Sequence, residues 1–167
     1  MTKPSATLWE IEPHTKAKHE ILRRYLGAWF AILGAKLPRI VYIDGFCGPG
    51  RYVGGEDGSP IIALKEAMKQ PVLASSKVTF LFIDERDDRI GYLENEIALL
   101  NIPENFHIDI RVNEFDDTLT KILDALENRG AHLAPTFAFI DPFGFKGAPF
   151  RLVKRLIRTF AYAGEKA

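Results

Sequence analysis

The stretch Val41-Tyr-Ile-Asp-Gly-Phe-Cys-Gly-Pro-Gly-Arg-Tyr52 runs without pause from an apolar strand into a loop dense with glycine. Arg39 to Asp44 is a nearly unbroken apolar run with β-branched residues, the mark of a strand covered on both faces. In open α/β sheets, ligands sit outside the carboxyl ends of the strands where strand order reverses, and a loop such as Gly45 to Gly50 belongs at a strand end of that kind. Glycine there lets the backbone come close to a ligand. The plain alternative is a tight strand-to-helix turn.

The same pattern recurs on both sides of the loop. Ile21, Leu22, Tyr25, Leu26, Trp29, Phe30 and Leu33 fall at helical spacing, which predicts an amphipathic helix from about Lys16 to Gly34, stopped by Pro38. After the loop and a glycine-rich turn, a helix is expected from near Pro60 to about Gln70, with Ser59 as N-cap. Val78 to Ile83 is a second apolar strand ending in Asp84-Glu85, followed by a helix from Asp88 to Leu100. His107 to Val112 reads as an outer strand, because Asp109 and Arg111 alternate with apolar neighbours. Phe115 to Asn128 is a helix, Thr136 to Ile140 a fourth strand ending in Asp141-Pro142, and Ala148 to Phe160 a last helix. Strand and helix alternate throughout, so the expected class is α/β, a mainly parallel sheet between helical layers in a three-layer, Rossmann-like arrangement.

Composition narrows the function classes. Lys plus Arg balance Asp plus Glu at 22 each in 167 residues, so there is no overall cationic field of the kind that draws a protein onto nucleic acid or membrane. A nucleic-acid partner would need a local patch. The one cysteine, Cys47, excludes an intrachain disulfide framework and a Cys-based zinc site, as suits a reducing cytosol. No segment approaches the roughly 18 apolar residues of a membrane span, and the N-terminus holds no signal-like apolar run. The expected location is cytoplasmic.

The order of the glycines separates the ligands. Dinucleotide folds use G-x-G-x-x-G, whereas Asp44 is followed here by Gly45, Gly48 and Gly50, and the Gly-Lys-Ser or Gly-Lys-Thr of a phosphate-binding loop is missing. An acid at the strand end followed by G-x-G resembles class I S-adenosylmethionine methyltransferases. The resemblance implies S-adenosylmethionine as cofactor, with Asp44 orienting its amino-acid portion and Gly45, Phe46, Gly48 and Gly50 letting the backbone approach it. A second acid, at the end of the second strand, would accept hydrogen bonds from both ribose hydroxyls. Asp84 mirrors Asp44 in the run apolar-Ile-Asp, with Glu85 beside it as the alternative, while Asp87 and Asp88 serve as helix N-terminal charges. Asn113 and Glu114 stand where such enzymes contact the adenine, and Phe115 is open between that role and the core.

Asp141-Pro142-Phe143-Gly144-Phe145 resembles the Asp-Pro-Pro-Tyr motif of amino-group methyltransferases acting on nucleic-acid bases. There a carboxylate and a backbone carbonyl accept hydrogen bonds from an exocyclic amine and aim its lone pair at the sulfonium methyl, while an aromatic ring stacks on the extruded base. The resemblance implies Asp141, Pro142 and Phe143 as catalytic residues acting on an amino group of a nucleic-acid base or a protein. Phe143 replaces the second proline and Gly144 the aromatic, so stacking falls to Phe143 or Phe145. The alternative is a strand exit with a helix-capping Asp141.

Trp9-Glu-Ile-Glu-Pro-His-Thr15, Lys18-His19, Tyr42 to Gly50, Gly58-Ser-Pro60, Phe82-Ile-Asp84 and Phe139 to Gly144 together resemble the bacterial three-Cys-motif partner protein family, TcmP, through nearly the whole chain. The resemblance implies a methyltransferase-like domain over residues 16–167 behind a tail at 1–15. It also implies partnership with a separate three-cysteine-motif protein of iron–sulfur or radical S-adenosylmethionine type. The chain would act there as an enzyme or as a noncatalytic module holding S-adenosylmethionine or a nucleotide. A methyltransferase-like sheet normally continues past a fourth strand, so the expected fold is truncated. Pre-strand helices in such enzymes reach over the cofactor cleft, which the resemblance extends to His14, Lys18 and His19, with His14 a candidate base or substrate ligand. Singly, His14, Lys18 and His19 read as solvated residues behind a Thr15 N-cap, and Cys47 as a small buried thiol. Arg151, Lys154, Arg155 and Arg158 share one face of the last helix, either solvated or set against phosphates.

Overall fold

The computed structural model describes residues 5–142 and 147–161. Its elements are α1 (Pro13–Gly34), β1 (Arg39–Asp44), α2 (Ser59–Met68), β2 (Lys77–Asp84), α3 (Asp87–Ala98), β3 (Phe106–Val112), α4 (Phe115–Asn128), β4 (Thr136–Phe139) and α5 (Phe150–Ala161), with a 3-10 turn at Pro71–Ser75. The four strands form one sheet in the order β3-β2-β1-β4, and every pairing is parallel. Helices cover both faces, which makes this the expected three-layer, Rossmann-like α/β architecture.

Strand periodicity sorts the core into two halves. Ile40, Tyr42, Val78, Phe80, Phe82 and Phe106 face α1, α2 and α3, where they meet Leu22, Leu26, Phe30, Ile61, Ile62, Leu64, Ile90 and Leu93. Ile43, Leu81 and Ile83 face the opposite layer, where Leu119 and Leu123 of α4 and Leu152 and Leu156 of α5 cover them. Each such side chain, fully buried, contributes about 1.5–3 kcal/mol. The apolar runs of β1 and β2 therefore place these strands at the centre, while β3, with its partly exposed residues, takes one edge.

Helix α1 begins three residues before the expected Lys16. Pro13 stands at its first position and Glu12 precedes it, so Thr15 lies inside the first turn and is not the N-cap. Proline suits that position because its fixed φ is already helical and its missing N–H would have had no intrahelical partner. The helix ends at Gly34, where a Cβ would sit 2.3 Å from Leu73. In α2 likewise Gly58, not Ser59, is the N-cap.

The basic face of α5 is largely spent on α4. Arg151 donates to Asp116 at 3.0 Å, while Arg155 donates to Glu127 at 2.7 Å and also pairs with Asp124. Lys154 lies 5.4 Å over the Phe150 ring. Among the described residues no helix is long and apolar enough to cross a membrane.

The sheet order locates the crevice. From β1 the chain moves outward to β2 and β3, then returns to lay β4 on the other side of β1. The reversal lies between β1 and β4, whose ends are in register at Asp44 and Phe139. Ligands of this architecture bind at such a point.

Candidate functional site

The loop after β1 is built by glycines with separate tasks. Gly48 (φ 61°) and Gly50 (φ 78°) hold left-handed backbone, which other residues adopt at a cost. A Cβ on Gly50 would also stand 2.6 Å from Leu93. Gly45 has ordinary backbone, and its small size makes room for Phe115, which would lie 2.6 Å from an added Cβ. Phe115 is accordingly a core residue, 2% exposed. Three amide bonds cinch the loop down: Gly45 N–H to Phe139 O, Cys47 N–H to Ile83 O, each 3.0 Å, and Gly48 N–H to Asp84 Oδ2 at 3.1 Å.

The three expected acids occupy three different environments. Asp44 is fully buried beneath the loop, bonded by Tyr42 Oη at 3.5 Å, by Phe46 N–H at 3.4 Å and by Ser59. Burial pushes its carboxyl up to about 7, against the lowering effect of those bonds. Asp84 is 6% exposed. It accepts from Gly48 N–H and, at 2.9 Å, from Arg86 N–H, and it faces the fully buried Arg89 guanidinium at 3.8 Å. Its carboxylate is thus a brace for the loop, whatever further bonds it accepts. Asp141, at the exit from β4, is half-exposed and accepts two bonds from Lys18 Nζ, at 2.7 and 2.9 Å.

A cavity of about 290 Å³ opens over the loop at the reversal point. Gly48, Pro49 and Gly50 form its floor, Asp141, Pro142 and Phe139 one side, and residues of α1 its roof. Phe46 and Cys47 also line it, and the Cys47 thiol is pushed well up by burial, as for an inert core cysteine. Asp44, Gly45, Asp84, Glu85, Asn113 and Glu114 do not line this cavity. Asn113 is engaged locally, donating to Asp117 at 2.7 Å and accepting from Glu114 N–H at 2.9 Å. Phe143 lies outside the described residues.

Two features of the site escape a reading by spacing. The segment before α1 is packed onto the loop and the start of α3: the Trp9 ring lies 4.6 Å from the Arg89 guanidinium and 5.7 Å edge-on from Tyr52, and Val53 N–H donates to Trp9 O at 3.1 Å. Thr7 and Asp88 are hydrogen-bonded, as are Ser5 O and Arg86. The second feature is His19, expected to be solvated and found 7% exposed in the cavity roof. Burial lowers its pKa, against the raising influence of Asp141 and of a hydrogen bond to the Asp57 backbone. Its place on the Leu22, Leu26 face of the helix points inward, in keeping with the expectation that this helix reaches over the cleft. His14 stays at the rim, 3.2 Å from Glu12.

Among the described residues no group of His, Cys, Asp and Glu could hold a metal ion. No model of a known protein family matches the chain, and no curated protein matches it significantly.

Proposed function

We infer that the chain binds S-adenosylmethionine in the cavity over the glycine loop and acts as a methyltransferase toward an amino group. The observation that carries this reading is convergence: two left-handed glycines, the buried Asp44 and the Asp141-Pro142 exit of β4 meet at the reversal point between β1 and β4. The cavity suits the group. Its floor is bare backbone at Gly48 and Gly50 and its wall carries Asp141, so a cationic ligand meets a carboxylate there. When bound, the cofactor supplies an electrophilic methyl on a sulfonium. Gly48 and Gly50 would let its amino-acid end lie close against the loop backbone, which the buried Asp44 supports from beneath, while Asp141 would hold the acceptor nitrogen and fix its direction of approach. Closure of the roof by Trp9 and α1 would keep water out.

A noncatalytic reading is favoured by one fact, that Asp141 is already engaged by Lys18. In that case the cavity holds cofactor alone and an exposed surface docks a three-cysteine-motif protein. Incubation with methyl-labelled S-adenosylmethionine, together with amine acceptors and nucleic acid, separates the two. Label in an acceptor supports the enzyme; cofactor binding without label in any acceptor supports the module; no binding by the folded chain contradicts both.

A further inference from the structure

The cavity holds an ammonium site that is already filled from within. Lys18 Nζ reaches Asp141 across 123 residues of sequence and is held by both carboxylate oxygens, at 2.7 and 2.9 Å. Beside Lys18 in the chain, His19 is 7% exposed, and its Nδ1 is buried with no hydrogen-bond partner. Leaving a buried acceptor unpaired is costly, and such atoms call for a donor that the protein itself does not supply. The charges facing His19 are Asp141 from the β4 exit and Lys18 and Arg23 from its own helix. A carboxylate and a neutral imidazole in one cavity, with a four-carbon ammonium already seated there, define the chemistry of a ligand group.

We propose that Asp141 and His19 form a subsite for a primary alkylammonium group, the lysine type of methyl acceptor, and that Lys18 occupies this subsite until a substrate amine displaces it. The proposal rests on the methyltransferase reading for its reaction, though not for its binding. An alkylammonium is charged near neutral pH and has no lone pair, whereas the amine of a nucleobase is uncharged. The alkylammonium must lose a proton before its nitrogen can attack, whereas the nucleobase amine sheds one only after the N–C bond has formed. The bound ammonium gives one proton to His19 Nδ1, and the freed lone pair forms the N–C bond as the C–S bond breaks with both its electrons staying on sulfur. The product is a methylammonium held by Asp141, a thioether, and one proton on His19.

The test is calorimetric titration of the whole chain with n-butylamine at neutral pH, with and without S-adenosylhomocysteine, and with adenosine and cytidine as contrasting amines. Lys18→Met removes the internal competitor and keeps the stem, so butylammonium should bind about fivefold more tightly than to wild type, the scale of one half-exposed ion pair. Adding Asp141→Asn should abolish the gain. The ring nitrogen NMR shifts of His19, followed in the wild-type chain, should report a new hydrogen bond at Nδ1 as butylamine is added. An unchanged or weakened affinity in Lys18→Met overturns the proposal, as does binding of the nucleosides in place of butylamine. S-adenosylhomocysteine that fails to bind while the butylamine gain persists removes the methyltransferase reading and supports the ammonium subsite.

Discussion

Gly48 N–H donates to Asp84 Oδ2 at 3.1 Å, so the loop that follows β1 is tied down by a side chain at the end of β2. The other carboxylate oxygen takes Arg86 N–H, and the buried Arg89 faces the pair. Asp84→Ala would leave the buried Gly48 amide and the partly buried Arg86 amide without their acceptor and remove the carboxylate opposite a buried guanidinium. The expected loss is about 3–5 kcal/mol of folding stability, read from urea unfolding. Asp84→Asn retains an acceptor and should lose clearly less. Equal losses in the two variants would show that the brace is unimportant.

The two left-handed glycines should respond differently to alanine. At Gly48 an added Cβ meets only the Trp9 ring, at 3.4 Å, so Gly48→Ala costs the backbone term, about 1–2 kcal/mol. At Gly50 the same strain is joined by overlap with Leu93 at 2.6 Å, for a further ~1–3 kcal/mol. Unfolding midpoints should therefore fall more for Gly50→Ala than for Gly48→Ala, which leaves the latter as the usable probe of the loop.

Asp44 gives the protein a pH signature. Unfolded, its carboxyl loses its proton near the ordinary 3.8; folded, it keeps it up to about 7. The folded state thus binds the extra proton between those values, and its stability falls as pH rises through that window. The slope is at most about 1.4 kcal/mol per pH unit. His19, with its lowered pKa, tilts the profile the other way, removing stability as pH falls below its ordinary 6.5. Comparison with Asp44→Asn isolates the first effect: the variant should be the more stable protein at pH 8, by on the order of 2–4 kcal/mol, with the advantage shrinking toward pH 4. Urea unfolding at both ends of the range checks it, and a variant less stable than wild type at pH 8 would contradict it.

Cys47 should be silent in the folded state. Its thiol is buried and pushed well up, with Asp44 and Asp84 adding to the effect. A disulfide reagent should label it promptly in denaturant and more than about tenfold more slowly in buffer. Equal rates would place the loop in solvent.

The layers of this fold were readable because periodicity reports burial. The unbroken runs of β1 and β2 mark strands covered on both faces, and the alternation in His107 to Val112 marks an edge. Thr15 is a good cap by residue type, yet Pro13 sets helical backbone two residues earlier, so α1 starts before the position that cap type predicts. The places of Gly48, Gly50 and Asp141 beside the cavity, and of Asp44 beneath the loop, follow from their positions at strand ends. The seating of Lys18 on Asp141 was not readable, since the two are joined only by the return of β4 to the side of β1. Nor was the inward role of Asp84, because its partners Arg89 and Gly48 come from a helix face and a turn whose mutual approach no local pattern encodes.

The most direct measurement is calorimetric titration of the chain with S-adenosylhomocysteine, with Gly48→Ala as the control that disturbs the loop and spares the core. Saturable binding at one site per chain, weakened at least about tenfold in a variant that still unfolds cooperatively, is the expected result. A folded wild-type chain that takes up no ligand, or a Gly48→Ala variant that binds as well as wild type, would contradict the placement of the cofactor over the glycine loop.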